Sequence, residues 1–170
     1  MTSTTATAPT GVVSAASDAQ GIRIVRIFDA APALVFSCWT EPEHFATWFG
    51  EHGSSMPVDT VTMDPRPGGA WRAVMHVTEP DPMELVFYGE YVEVDPPRRV
   101  VMTLDDMSEI PDPSRKEFLT VDLVDLGGRT EMTFSQSGGN LPSDEYSRAM
   151  RGELIFFDRM AEHLAEVVAR

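Results

Sequence analysis

The chain has a single cysteine, Cys38, among its 170 residues. One cysteine cannot form an internal disulfide, and it excludes a zinc site built from several cysteines. Disulfide-stabilised secreted domains are therefore ruled out, and we expect a cytoplasmic protein.

Basic residues are also scarce, since 13 Lys and Arg stand against 27 Asp and Glu, for a formal net charge of −14. Nucleic-acid binding draws most of its affinity from Lys and Arg that neutralise phosphates. We therefore expect no nucleic-acid partner and no binding to anionic membrane surfaces, and charge steering favours neutral or cationic ligands. No apolar run reaches the roughly 18 residues that a membrane-spanning helix needs, and the N-terminus lacks the features of a signal peptide.

The overall composition is typical of a globular protein, with 42% hydrophobic, 9% aromatic and 24% charged residues. The length corresponds to about one domain. Residues 1–20 are mainly Thr, Ala and Ser, and they hold too little apolar surface to offset the entropy lost on ordering. We therefore predict a disordered tail over residues 1–20 and one domain over residues 21–170.

The hydrophobic pattern predicts a strand, two short helices, a series of strands and a long helix. Residues 22–28 are β-branched and apolar, as in a strand. A first helix begins at Pro32, and the run Thr40-Glu41-Pro42-Glu43 fits a capping box that begins a second helix. Turns rich in Pro and Gly then separate six strand-like runs of an antiparallel meander. These runs are 58–63, 70–77, 85–94, 99–104, 118–126 and 130–136.

The last segment predicts a helix of about 26 residues with Ser143 as its N-cap. At about 100° per residue its apolar side chains form one stripe centred on Phe157. Glu153 lies inside this stripe, about 40° from its centre, whereas the other charged residues near it lie outside. Glu153 is therefore the charged residue of this helix that is expected to face the rest of the protein.

Several motifs resemble one known family. The segment A-P-A-L-V-F-S-C-W-T-E-P-E-H-F-A-T-W-F-G at 31–50 closely resembles the opening of the AHSA1-like (activator of Hsp90 ATPase homologue) branch of the SRPBCC, or START-like (Bet v 1-like), superfamily. The motifs D-P-R-P-G-G at 64–69, G-E-Y-V-E-V at 89–94 and G-G-R-T at 127–130 are also similar to that family. The resemblance covers about residues 22–168.

The resemblance implies an α+β helix-grip fold. In this fold a curved antiparallel sheet of about seven strands wraps round a long C-terminal helix, and an apolar cavity between them holds hydrophobic small molecules. Members include lipid carriers, hormone receptors, polyketide cyclases and co-chaperones, and fold does not choose among these. The branch carries no catalytic signature that transfers residue by residue.

Two glutamates are candidate acid–base residues. Glu153 stands where the family commonly has Trp; its carboxylate either reaches the sheet edge and solvent or is enclosed in the cavity, where burial would raise its pKa as general acid–base chemistry requires. Glu90 alternates in register with Val92 and Val94, so it faces the cavity if they do, although a bulge beside Gly89 would reverse its direction.

The side chains expected to line the cavity are aromatic residues and methionines on predicted inner faces. They are Trp39, Phe49, Trp71, Met75, Met102, Phe134, Met150 and Phe157. We predict no metal site and no cofactor, because His44 and His52 lack a metal-ligand spacing and His44 lies among solvent-facing acids. Cys38 has no histidine near it in sequence, so we do not expect it to be a nucleophile.

Two functions remain open at this point. The first is binding of a hydrophobic or aromatic small molecule, with or without acid–base chemistry of the cyclase or lyase type. The alternative is a protein–protein module, such as an Hsp90-type co-chaperone, a partner of a regulator or a homodimer. Ile155, which is directed outward, and Phe156, on the flank of the apolar stripe, would then contact the partner. An enclosed cavity favours the first and a filled core favours the second.

Overall fold

The structure is a computed structural model that describes residues 10–50, 53–105, 110 and 112–170. Within these residues it contains nine strands and three helices. The strands are β1 Gly11–Asp18, β2 Gly21–Phe28, β3 Ser54–Ser55, β4 Thr62–Met63, β5 Ala70–Val77, β6 Met83–Asp95, β7 Arg99–Leu104, β8 Glu117–Asp125 and β9 Thr130–Ser137. The helices are α1 Pro32–Thr40, α2 Pro42–Trp48 and α3 Ser143–Val168.

The strands form one antiparallel sheet in the order β1-β2-β9-β8-β7-β6-β5-β3, with β4 paired to β5. Consecutive strands from β5 to β9 are neighbours, as the predicted meander requires. The chain's first strands join the far side of this meander, because β2 pairs with β9. Helix α3 packs against β1, β2, α1 and α2. The α+β helix-grip fold is therefore confirmed.

Strand β1 lies within the segment that the sequence analysis predicts to be a disordered tail. Gly11–Asp18 pairs with β2 over its length, from Gly11 opposite Ile27 to Asp18 opposite Gly21. The prediction of disorder is therefore wrong for this segment, while residues 1–9 lie outside the described residues. Most side chains of β1 are exposed, so the strand is held by backbone pairing with β2 more than by burial of its side chains.

Three local predictions also differ from the structure. The run 58–63 is not one strand but a short 3-10 helix, Val58–Thr60, followed by the two residues of β4. The capping box at the start of α2 does not form, because the Thr40 hydroxyl donates to the carbonyl of Phe36 within the preceding helix. Glu41 occupies the N-cap position, and its side chain makes no capping hydrogen bond. Likewise Pro142, not Ser143, is the N-cap residue of α3.

The apolar face of α3 is confirmed. Tyr146, Phe157, Met160 and Leu164 are buried, and the Phe157 ring packs edge-on against that of Phe134, with 5.1 Å between centroids. The core is dominated by such aromatic contacts between the helices and the inner face of the sheet.

Candidate functional site

An apolar pocket lies between one end of the sheet and α3. Its volume is about 320 Å³. Strand alternation puts Met75 and Val77 on one face of β5, and β6 places Leu85 directly opposite Met75. The residues that line the pocket are Gly53, Ser54, Met75, Val77, Glu79, Leu85, Phe87 and Phe156.

Aromatic packing closes one side of this pocket. The Phe49 ring lies 5.1 Å from the centroid of Phe87 and 5.1 Å from that of Phe156. Phe49 is buried, whereas Phe87 and Phe156 are half-buried, so the two pocket-lining rings keep a free face. Helix α2, strand β6 and helix α3 thus meet at the pocket through these three rings.

The eight predicted cavity residues do not all lie at the pocket. Met75 lines the pocket and Phe49 adjoins it. Met150 is half-buried on α3. Five others are at most 1% exposed and belong to the hydrophobic core: Trp39, Trp71, Met102, Phe134 and Phe157. The Trp39 ring stacks on Phe134 at 5.9 Å and meets Phe157 at 6.1 Å, so this part of the expected cavity is occupied by the protein's own side chains.

A second groove, of about 550 Å³, lies between β2 and the end of α3 and includes Arg26, Phe28 and Leu164. The Arg26 charge is paired, because its Nη1 donates to Asp158 of α3, although its buried Nε has no hydrogen-bond partner among the described residues. It is also the more open of the two. We place the candidate site at the smaller pocket, whose walls join the sheet to the middle of α3.

A buried polar cluster faces the same helix. Glu117 at the start of β8 and Gln136 on β9 are only 6% and 4% exposed, and Gln136 Nε2 donates a hydrogen bond to Glu117 Oε2. Their other oxygens, Glu117 Oε1 and Gln136 Oε1, are buried and have no hydrogen-bond partner among the described residues. Two unpaired buried acceptors are costly, so each is suited to accept a hydrogen bond from a neighbouring protonated group or from a bound ligand.

Glu153 belongs to this cluster. Burial of its carboxyl raises the pKa of Glu153 to about 8, and the negative charge of Glu117 acts in the same direction. Burial also raises the pKa of Glu117 to about 6, against the opposing effects of the Gln136 hydrogen bond and of Arg115. Near neutral pH the pair therefore consists of a protonated Glu153 and a largely ionised Glu117.

The backbone beside Glu117 is shaped to admit its side chain. A Cβ on Gly139 would lie 2.5 Å from Glu117 Oε1, so a larger residue there would displace the Glu117 side chain from its present position. The amide of Gly139 donates to the hydroxyl of the buried Tyr146 at 3.1 Å, which links this loop to the start of α3. Glu117 is thus held inside by the loop and by the helix.

The other predicted acid, Glu90, is corrected by the structure. Its neighbours Gly89 and Tyr91 are buried, while Glu90 is exposed and Val92 is 48% exposed. Strand alternation therefore directs Glu90 to the outer face of the sheet together with Val92. The interior acid on the sheet is instead Glu117, 6% exposed, which the sequence analysis did not single out.

Three side chains of the kinds that can bind a metal ion, Cys38, His44 and His163, lie close together on the helical side of the fold. Nδ1 of His44 in α2 and Nε2 of His163 in α3 lie 2.8 Å apart, and one ligand atom from each, with the thiol of Cys38 in α1, all lie within 4.8 Å of one another. Burial lowers the pKa of His163, and the nearby His44 contributes. Burial raises the pKa of Cys38 to about 12, which leaves the bare thiol unsuited to be a nucleophile.

Sequence spacing could not reveal this cluster, because His163 is 119 residues from His44. The only signal was that Cys38 and His44 lie on consecutive helices.

Of the two residues expected to contact a protein partner, only Ile155 is exposed. Ile155 is 36% exposed, but Phe156 packs on Phe49 and lines the pocket. The protein–protein alternative stays a prediction that no described contact favours.

An antiparallel sheet that wraps a long C-terminal helix, with an apolar pocket between them, defines a helix-grip protein of the SRPBCC class. Residues 29–165 match the family described as Activator of Hsp90 ATPase homolog 1-like protein. The chain belongs to this family, which confirms the predicted resemblance. The family is consistent with small-molecule and with protein partners.

Several solved structures share the fold. A protein from Arthrobacter aurescens is 21% identical with a TM-score of 0.75, over 91% of this chain and 92% of that one. The AHSA1 protein from Silicibacter pomeroyi is 23% identical with a TM-score of 0.70, over 84% of this chain and 96% of that one. CalU16 from Micromonospora echinospora is 17% identical with a TM-score of 0.59, over 88% and 79%. At these identities the likeness is one of fold.

The comparison with curated proteins found no match. None of the helices in the described part of the chain is long and apolar enough to cross a membrane.

Proposed function

We propose that this protein binds a hydrophobic or aromatic small molecule in the pocket between β5, β6 and α3. The observation that carries the proposal is the pocket itself, whose walls are largely apolar side chains from sheet and helix. Its volume of about 320 Å³ is at the lower end of the range for small-molecule sites, which suits a ligand of one or two rings. Removal of apolar surface from water contributes roughly 25 cal/mol per Å² to such binding.

A neutral fluorescent probe with two fused rings, 6-propionyl-2-(dimethylamino)naphthalene, tests the pocket. Leu85→Trp fills the space between Met75 and Phe87, so we expect probe affinity to fall at least about tenfold, equivalent to about 1.4 kcal/mol. Val124→Trp is the matched control, because Val124 is 53% exposed at the far end of β8. Equal probe affinity in the wild type and both variants would contradict the proposal. Native mass spectrometry of freshly purified protein then searches for a bound molecule that Leu85→Trp loses.

We further propose that Glu117 and Glu153 act on the polar end of the ligand as base and acid. Carboxyl pairs whose surroundings separate their pKa values are suited to these two roles. Glu153 is three residues before Phe156 on α3, which is about 4.5 Å along the helix axis. The polar cluster is therefore close to one helical turn from a pocket-lining ring. A ligand that fills the pocket and extends along α3 would bring a donor group toward the two unpaired oxygens.

Carbon-13 NMR of glutamate-labelled protein measures the acid–base capacity directly. We expect two side-chain carboxyl resonances with midpoints near 6 and near 8, the values given above. Glu117→Gln should remove the lower midpoint and also lower the midpoint of Glu153, because one neighbouring negative charge is lost. If every glutamate titrates near the ordinary value of about 4.3, the acid–base proposal is wrong.

A further inference from the structure

The cluster of Cys38, His44 and His163 has no role in the proposed ligand binding. It unites the single cysteine of the chain with two of its four histidines. Cys38 is fully buried, whereas the two imidazoles are half-buried. The cluster therefore has a buried thiol side and an imidazole side that is open to solvent.

We propose that Cys38, His44 and His163 bind one zinc ion, with water in the fourth position. The two facing nitrogens are 2.8 Å apart. Zinc–nitrogen bonds of about 2.0–2.1 Å in a tetrahedron separate two nitrogens by about 3.3 Å, and a zinc–sulfur bond of about 2.3 Å places the thiolate about 3.5 Å from each nitrogen. The imidazoles need to part by only about 0.5 Å, and the sulfur of Cys38 already lies within 4.8 Å of one ring nitrogen of each histidine.

The surroundings of His44 support this assignment. Its inner nitrogen, Nδ1, faces His163, while its outer nitrogen, Nε2, lies 3.7 Å from Oε2 of Glu41. A metal-ligating histidine usually donates its other N–H to a carboxylate or carbonyl, which fixes the ring and raises its basicity. The Glu41 carboxylate is itself oriented, because its Oε1 accepts from the Ser37 hydroxyl at 3.1 Å.

The ligand set also fits zinc chemically. One thiolate and two neutral imidazoles form a borderline-soft set, and zinc binds without any change of oxidation state. On binding, Zn²⁺ replaces the Cys38 thiol proton, which leaves to solvent. The proton shared by His44 and His163 is replaced as well, and it returns to the outer nitrogen of its own ring. Each zinc bound therefore releases one proton.

The placement of the three ligands predicts a stabilising effect of the metal. Each ligand comes from a different helix, so one ion would join α1, α2 and α3. Because zinc binds the folded arrangement, it should raise the melting temperature in proportion to the logarithm of its concentration.

Cobalt is the probe for the test. Full-length untagged protein is stripped with a chelator, kept reduced and titrated with Co²⁺. We expect one equivalent to bind with the strong visible bands of four-coordinate cobalt and a thiolate charge-transfer band in the near ultraviolet, and one equivalent of Zn²⁺ to abolish both. Cys38→Ser should lose the charge-transfer band, His163→Ala should weaken binding at least about 100-fold, and Glu41→Gln should weaken it about tenfold.

His76→Ala is the matched control, since His76 pairs with Glu84 on the sheet at 3.4 Å and should leave the titration unchanged. Circular dichroism checks that each variant folds, and if Cys38→Ser does not, His44→Ala replaces it with loss of binding as the expected result. Absence of a stoichiometric cobalt spectrum overturns the proposal. So does a cobalt spectrum without a thiolate band, or one that His163→Ala leaves intact. Probe binding in the apolar pocket is measured separately, so the two proposals fail independently.

Discussion

Replacement of Glu153 by glutamine should stabilise the protein at neutral pH but not in mild acid. The pKa of this carboxyl is about 8 in the folded protein against 4.5 in the unfolded chain. Between these values the folded protein keeps a proton that the unfolded chain releases, so the free energy of unfolding falls as pH rises from 4.5 to 8 and then levels off. Below pH 4.5 both states are protonated, and the penalty is absent.

The magnitude follows from the distance between pH 7 and the unfolded pKa. At about 1.4 kcal/mol per pH unit the penalty at pH 7 is about 3 kcal/mol. This is an upper limit because the residue is only half-buried, and we expect a gain of about 1–3 kcal/mol for Glu153→Gln at pH 7 and less than about 0.5 kcal/mol at pH 4.

Urea unfolding followed by tryptophan fluorescence measures the difference, since Trp39, Trp48 and Trp71 are all buried. Glu162→Gln, on the exposed face of the same helix, is the control and should change stability by less than about 0.5 kcal/mol at both pH values. A gain for Glu153→Gln that is the same at pH 4 and pH 7 would refute the reasoning, because the side chain would then reach water when it ionises.

Three further predictions concern packing. Phe157→Ala should cost about 3–5 kcal/mol of unfolding free energy in the same assay, whereas the exposed Ile155→Ala should cost less than about 1 kcal/mol; equal losses would contradict the orientation of α3. Gly89→Ala would place a Cβ 2.0 Å from the carbonyl oxygen of Thr103, so we expect a loss of at least about 3 kcal/mol, and an unchanged urea midpoint would exclude this close approach. Deletion of residues 1–20 removes β1 and should lower the melting temperature by at least about 4 °C in calorimetry, whereas no change would show that the pairing adds nothing.

The sequence predicted most accurately those helices and strands in which buried and exposed residues follow a regular pattern. The amphipathic pattern located α3 and the buried side of Phe157, since a helix of seven turns averages out single misfits. It also located β5 and β7 with the bounds observed, 70–77 and 99–104. Strand β1 escaped because its residues are small, polar and mostly exposed. An edge strand of this kind is fixed by its hydrogen bonds to β2, which leave no hydrophobic pattern.

The candidate site was predicted only in part, because its second acid reverses the usual pattern. At the start of β8 the charged Glu117 points inward while the apolar Phe118 is 41% exposed. Hydrophobicity alone assigns these two residues to the opposite faces. The register of β8 against β7 and β9 determines which face each residue occupies. That register depends on pairing between strands that are distant in sequence. Reversals of this kind are expected at functional sites.

The pairing of β2 with β9 has a consequence for how the chain is made. Every residue of β2, from Gly21 to Phe28, is opposite a residue between Thr130 and Ser137, so the sheet cannot close until about a hundred further residues have been synthesised. At 5–20 residues per second this delay is roughly 5–20 s. During it the apolar strand β2 has only β1 as a local partner, and a hairpin of this size forms within about 10 μs. Strand β1 should therefore cover one edge of β2 during synthesis, as it does in the finished sheet, while the edge that pairs with β9 stays open. Its loss should increase aggregation during synthesis more than its small contribution to the finished core suggests.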